Sequence, residues 1–259
     1  MSGNVVELNL VQFLLVYILL IIVAIIMRIS RVDQTKLLVV ASLRMSAQLV
    51  LAGFVLTYIF EHPRWYWTLA YILAMAAFSI GRTLLKNPWM NRKFKVIVIL
   101  SLGASGTLVL VFFILGVIGV NFFNPQYTIP IAGMIFGNSM TGVTLGLKSF
   151  KDNLTGQKDR IEALINIGAK PKKVLRPFAN SALETALLPT MNSMLGMGII
   201  ALPGMMTGQI LSGTMPMTAI LYQIAIVICI CAVVCIASFC TLNFGYRTLY
   251  NRQNQILDI

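Results

Sequence analysis

Charge is scarce in this chain of 259 residues. Only 11% of the residues are Asp, Glu, Lys or Arg, where a soluble domain carries roughly a quarter, and that excludes an ordinary soluble fold. Acid is scarcer still, with 8 Asp and Glu in all, and histidine occurs once, at His62. A lone histidine in a short loop with no ligand-forming neighbour supplies neither a hydrolytic triad nor a metal site. The four cysteines, Cys229, Cys231, Cys235 and Cys240, fall in one apolar run. They leave no disulfide framework to infer, share no single helical face for a soft metal, and read as small buried hydrophobes. No polar interval is longer than residues 151–177, so no separate soluble domain fits and an ATPase or receptor component would be another chain. The closest approach to a phosphate loop, GVTLGLKS at residues 142–149, has its second glycine misplaced and ends an apolar run instead of joining strand to helix. Nothing in the chain supports catalysis, and no cofactor is expected on it.

What the chain has in abundance is apolar length. Hydrophobic residues make up 58% and the mean hydropathy is +0.85, and several runs reach the ~20 residues that a helix needs to cross a bilayer. Ten-residue alternation of the kind an outer-membrane barrel requires is missing. The expectation is an all-α integral membrane protein, a single permease-like domain over residues 1–259, with about seven spans at 8–27, 37–60, 65–84, 96–120, 127–147, 187–211 and 218–244. The first has no basic stretch before it and no small-residue cleavage signal after it, so it reads as a retained helix.

Basic residues set the expected orientation. Arg28, Arg31 and Lys36 follow span one, Arg82, Lys86, Arg92, Lys93 and Lys95 follow span three, the 151–177 interval is rich in Lys and Arg, and Arg247 and Arg252 follow span seven. The alternate loops hold only Glu61, His62 and Arg64 in one case and no charge in the others. Retention of basic loops on the inner side places the N-terminus outside and the C-terminus in the cytoplasm. The net charge of +12 is mostly this asymmetry; it fits an anionic leaflet or an acidic protein partner and offers nothing specific for nucleic acid.

Within the 151–177 interval, residues 159–167 place Ile161, Leu164 and Ile165 at helical spacing, stop at Gly168, and are followed by Pro171, which suits the first turn of a new helix. The segment reads as helix, tight turn, helix, either a solvated connection or a docking knuckle. Span five carries Gly133 and Gly137 one turn apart and Gly142 and Gly146 one turn apart, on roughly opposite faces, so backbones can approach on both sides. Span six is interrupted at Pro203-Gly204, and such a break is tolerated only inside protein or beside a wet cavity. Asn138, Ser139, Thr141, Asn192 and Gln209 are candidates to line a translocation path, with Glu184 as an acidic vestibule; the alternative is that they bond only between helices. Methionines crowd spans five and six, at Met134, Met140, Met191, Met194, Met197, Met205 and Met206, as soft-ion ligands or as flexible filling. Arg44 lies deep in an apolar run, as a functional charge or a snorkelling one.

Two sets of residues carry a resemblance. Glu162-Ala163-Leu164 followed by Gly168-Ala169 resembles the EAA-and-glycine motif by which ABC transporter permeases engage their ATPases, with Leu164 in place of an alanine and Leu188-Pro189 lying beyond the usual interval. The combination IPIAGMIFGNSM, INIGAKPKK and LPGMMTGQILSG, in that order, is similar to the FetB-type permease family, uncharacterised family UPF0014, which includes bacterial iron-export permeases and a plant aluminium-tolerance permease subunit. The resemblance implies a multi-pass cell-membrane protein, working as two permease copies with two separate ATPase chains that bind ATP and magnesium, and exporting iron or a related metal ion. Plant relatives associated with nucleotide-sugar transport keep a nucleotide sugar or other small molecule as an alternative cargo. An ATP-independent secondary transporter is a further alternative, although neither inverted repeats nor intramembrane coupling acids are evident. It also implies that Arg160, Ile161, Glu162, Ala163, Leu164, Ile165, Gly168 and Ala169 form the coupling element, its apolar face meeting the ATPase.

Overall fold

The computed structural model describes residues 9–251; Leu8, the expected start of the first span, and Arg252 lie outside them. The regular elements are helical throughout: α1 (Leu10–Ile29), α2 (Thr35–Glu61), α3 (Trp65–Lys86), α4 (Arg92–Val111) running into a π-helical turn (Phe112–Ile118), α5 (Pro125–Gly156), α6 (Lys158–Asn166), α7 (Pro171–Gly196), α8 (Gly204–Leu211) and α9 (Pro216–Gly245), closed by a 3-10 turn (Tyr246–Thr248). The all-α expectation holds. Five of these stretches are long and apolar enough to cross a membrane: α1, α2, α3, α4 with its π turn, and α9 with its 3-10 turn. Helices α5 and α7 are long as well, at 32 and 26 residues, but their glycines, hydroxyls and charged ends dilute their hydropathy.

The chain divides into two compact units, residues 1–62 with 208–214, and residues 63–207 with 215–259. In the first, α1 packs on α2, and the Tyr17 hydroxyl meets Ser46 Oγ at 2.6 Å. Ile59 is the one buried residue of α2 among those described. Most other large apolar side chains of this pair face outward, an arrangement that lipid accepts and water does not.

In the second unit α5 is central and packs against α3, α4, α7 and α9. Asn124 caps its start, its side chain accepting from the Gln126 N–H at 3.1 Å, with Pro125 at the first helical position. Gly142 and Gly146 let α7 come close: a Cβ at Gly146 would sit 3.1 Å from Ala186 Cβ and 3.2 Å from the Ala182 carbonyl. The other pair is looser, since Gly137 has nothing within 4 Å of that position. At the charged end of the bundle Asn91 accepts from the Phe94 N–H at 2.7 Å, capping α4, and donates to the Thr248 carbonyl at 2.8 Å. That latch holds the chain leaving α9 against the start of α4, where Tyr246 and Leu249 are buried.

The expected sixth span, 187–211, is corrected by the structure. Helix α7 starts at Pro171 because residues 171–186 are amphipathic: Val174, Leu175, Ala179, Ala182 and Ala186 are buried while Lys172, Lys173 and Arg176 are exposed. The helix then ends at Gly196, ahead of the Pro203-Gly204 pair. Gly198 turns the chain at φ +81° and donates to the Ala201 carbonyl at 3.0 Å. Pro203-Gly204 marks the start of α8, with the Pro203 carbonyl accepting from the Thr207 N–H at 3.0 Å.

Candidate functional site: a knuckle and a polar cavity

Helix α5 extends well past Lys148. Its 32 residues span about 48 Å at 1.5 Å each, longer than the roughly 30 Å of a hydrocarbon core, and its last turns expose Lys148, Lys151 and Asp152 before the turn at Gln157. There α6 forms a nine-residue helix with Asp159 in its first turn, where a carboxylate favours the helix dipole. It stops in a Schellman motif. The Gly168 N–H donates to the Ile165 carbonyl at 2.9 Å and the Ala169 N–H to the Leu164 carbonyl at 3.0 Å, with Gly168 left-handed at φ +89°. Pro171 then opens α7 at its first turn. The expected helix, turn and helix are all present, one residue from the expected bounds.

The apolar face of α6 points inward. Ile161 is 5% exposed within the core cluster formed with Phe94, Leu147, Phe150 and Leu175, and Leu164, Ile165 and Ala169 pack against that cluster. The outer side carries Arg160, Ala163 and Ile167, which fall at i, i+3 and i+7 on one helical face. Ile167 is 80% exposed. Glu162 is exposed too, 3.8 Å from Lys158, a surface pair that contributes little.

Farther along the same two helices, α5, α7 and α9 enclose a cavity of about 160 Å³. Asn138 and Thr141 line it from α5, Thr190 and Ser193 from α7, and Met197 lies at one edge. The Asn138 amide N–H donates to the Met134 carbonyl at 2.8 Å, and the Thr141 hydroxyl to the Gly137 carbonyl at 3.0 Å. One Asn138 amide proton and the Thr141 hydroxyl proton are thereby used within α5, which leaves the second Asn138 N–H as a donor and the Asn138 amide oxygen and Thr141 lone pairs as acceptors. Pro189, also in the lining, removes the hydrogen bond to the Thr185 carbonyl one turn back. Gly142, Ala186, Val227 and Ile230 complete the walls, so the lining is neutral and mostly apolar, with a few oxygens supplied by Asn138, Thr141, Thr190 and Ser193.

The structure brings only Asn138 and Thr141 of the predicted path residues together here. Ser139 is fully buried and its hydroxyl donates to the Phe136 carbonyl at 3.1 Å. Glu184 and Asn192 are exposed on α7 and do not line the cavity. Gln209 belongs to the other unit, where its side-chain oxygen is buried without a partner. Thr190 and Ser193 were not predicted; the signal for them was the small-residue stripe Ala182, Ala186, Thr190, Ser193, whose steps of four, four and three keep one face of α7. Among the described residues no three His, Cys, Asp or Glu side chains come close enough to hold a metal ion. The four cysteines are free.

Comparisons with known proteins agree with this arrangement of a multi-pass membrane protein. The chain is 30% identical over 216 residues to the UPF0014 membrane protein slr1647 of Synechocystis, covering 81% of this chain and 82% of that one. It is 29% identical over 211 residues to the probable iron export permease protein FetB of Escherichia coli, covering 81% and 80%. With the protein ALUMINUM SENSITIVE 3 of Arabidopsis thaliana it shares 34% identity over 182 residues, 69% of this chain and 64% of the plant protein. No solved structure matches. Residues 10–250 match the profile of the uncharacterised protein family UPF0014, and the chain belongs to that family.

Proposed function

We propose that this chain is the membrane subunit of an ABC transporter, acting as a pair of copies with two separate ATPase chains that bind ATP and magnesium, and exporting a metal ion such as iron. The observation that carries the reading is the knuckle: a short helix with a Schellman stop, placed at the end of the 32-residue α5, seated on the chain's own core and returned directly into α7. On this reading Ile161, Leu164, Ile165 and Ala169 fix α6 in place, while Arg160, Ala163 and Ile167, flanked by Glu162, meet the ATPase groove. An amphipathic helix seated by one face offers only the other to a partner. The probable iron export permease among the relatives supports the metal cargo.

The same reading takes α1, α2, α3, α4 with its π turn, α5, α7 with α8, and α9 as seven spans, with the N-terminus outside and the knuckle in the cytoplasm, as the basic loops require. The neutral lining of the 160 Å³ cavity favours a cargo held weakly and released, and it keeps a nucleotide sugar or other small molecule as the second reading. Reconstitution of this chain with its ATPase, measuring ATP-dependent flux of Fe²⁺ against a nucleotide sugar, is the test. ATP-driven Fe²⁺ flux is expected; flux of the sugar alone would move the proposal to the second cargo, and gradient-driven flux without ATP would overturn it.

A further inference from the structure

At the charged end of the bundle, near the start of α7 and the end of α9, a second cavity of about 280 Å³ opens on the surface. Lys172, Arg176 and Arg247 line it together with the amides of Asn180 and Asn243. None of these three cations has a carboxylate within ion-pairing distance among the described residues, where the one ion pair is Lys158 with Glu162. No hydrogen bond of Asn180 or Asn243 side chains occurs among the described residues, and Arg247 reaches only the Phe244 ring, at 5.5 Å. Three exposed like charges are therefore gathered around one concavity with donors unspent, a positive patch that attracts an anion.

The walls show what kind of anion fits. Leu183 and Leu242 line the pocket as well, and so does Phe239, 49% exposed, about one turn before Asn243 on α9. Helix α9 is long and apolar enough to span the membrane, and the pocket lies at its end, with Lys172, Arg176, Arg247 and Phe239 exposed around it and Leu242 buried in its wall. We propose that this pocket binds the phosphodiester headgroup of an anionic membrane lipid, Arg176 and Arg247 holding the phosphate and Lys172 and the two amides its polar substituent. Basic pockets between spans at the inner leaflet are suited to such headgroups. A free phosphate shares the charge chemistry but makes no use of the apolar wall.

The test uses the full-length protein purified in detergent, with native mass spectrometry against added phosphatidylglycerol, phosphatidylcholine or inorganic phosphate. Retention of phosphatidylglycerol over phosphatidylcholine is expected. The variant K172Q/R176Q/R247Q should lose that retention by on the order of a hundredfold, at about fivefold for each cation near the surface, while K172R/R176K/R247K keeps most of it. Should the neutral variant fail to fold, phosphatidylglycerol with a headgroup diazirine, cross-linked to the unaltered protein in vesicles, should map to peptides containing Lys172–Asn180 and Phe239–Arg247. Undiminished retention in the neutral variant, or cross-links mapped elsewhere, would overturn the site. Equal occupancy by inorganic phosphate at the same concentration would overturn the lipid assignment, as would a neutral variant that loses a copurifying ATPase while retaining the lipid.

Discussion

Two substitutions on one short helix separate seating from docking. Ile161 is 5% exposed and Ile167 80%, though they lie six residues apart on the same turn-and-a-half of chain. Full burial of an isoleucine contributes about 2–3 kcal/mol, and the half-buried Leu164 and Ile165 about half of that each, so α6 is held to the bundle by about 4–6 kcal/mol. Ile161→Asp removes the largest share, and keeping the new carboxylate in the core would cost several kcal/mol more. The less costly outcome is release of α6 from its seat. A nine-residue helix does not persist alone in water, so the segment should unfold locally while the bundle stays intact.

Hydrogen exchange read by mass spectrometry checks this directly. Peptides covering residues 158–169 should lose their slow-exchanging amides in Ile161→Asp, while those from α5 and α9 keep theirs. Ile167→Asp should leave exchange unaltered in the free permease and weaken ATPase association by roughly thirtyfold, the equivalent of about 2 kcal/mol of lost apolar contact. Protection of residues 158–169 persisting in Ile161→Asp would refute the inward seating. ATPase binding undiminished by Ile167→Asp would refute the outer face as the docking surface.

Three further outcomes are expected. Gly142→Ala places a Cβ 2.5 Å from Val234 Cγ1 and 3.2 Å from the Ala186 carbonyl; Val234 is buried and β-branched, so it yields poorly, and a loss of about 1–3 kcal/mol should lower the apparent melting temperature, whereas Gly137→Ala, with open space around it, should hold or raise it. The reverse order of the two would count against the α5–α7 packing. Asn91→Ala removes an N-cap and the bond to the Thr248 carbonyl, about 2 kcal/mol together, and should speed exchange around Leu249 before anywhere else; uniform destabilisation would speak against a latch. On a background lacking the four native cysteines, T141C, T190C and S193C should react with a water-soluble thiol reagent in a manner that ATP alters, and S139C should not; silence at all three positions would remove the cavity from any translocation path.

The elements legible in the sequence were those written in local chemistry. Gly168 and Pro171 announce a stop and a restart by their backbone preferences, and the structure places α6 between them with its Schellman bonds made. What escaped was set by tertiary register. Lys148 and Lys151 read as lying beyond the fifth span because charge in a greasy chain points to water, yet α5 continues through them as an amphipathic helix with Leu154 buried on the other side, and α7 runs unbroken from Pro171 into the expected sixth span with Val174 and Leu175 buried. Asn192 is the more polar residue by type, but Thr190 and Ser193 share the face that Ala186 begins, and face is what decides access to the cavity. Ser139 is polar and central, and its hydroxyl is satisfied by its own helix. Polarity at membrane depth marks a residue that needs a partner; it does not identify the partner as cargo.

The inward seating of α6 bears on how a signal from an ATPase would reach the cavity. A helix held only by its partner would transmit nothing to the bundle, since displacement would be absorbed by the loops around it. Here Ile161 is fixed to a cluster that includes Leu147 and Phe150 of α5 and Leu175 and Ala179 of α7, and those two helices lead on to Thr141 and Thr190 at the cavity, α7 passing Pro177 and Pro189 on the way. From Gly156 to Thr141 is about 22 Å along α5, and from Pro171 to Thr190 about 28 Å along α7. Between them the Gly142, Gly146 stripe meets Ala182 and Ala186, and Ser149 Oγ lies 3.1 Å from Thr185 Oγ1. Packing this close resists sliding, so α5 and α7 respond to a push on α6 as one body. The helical ladder of α7 is already broken at Pro177, before the stretch clamped to α5, at Pro189 at the cavity wall, and at the turn at Gly198; beyond the clamped stretch the yielding points are Pro189 and Gly198. Motion at the knuckle is in this way delivered where Thr190, Ser193 and Met197 meet α5, which is the position from which a weakly held cargo would be released.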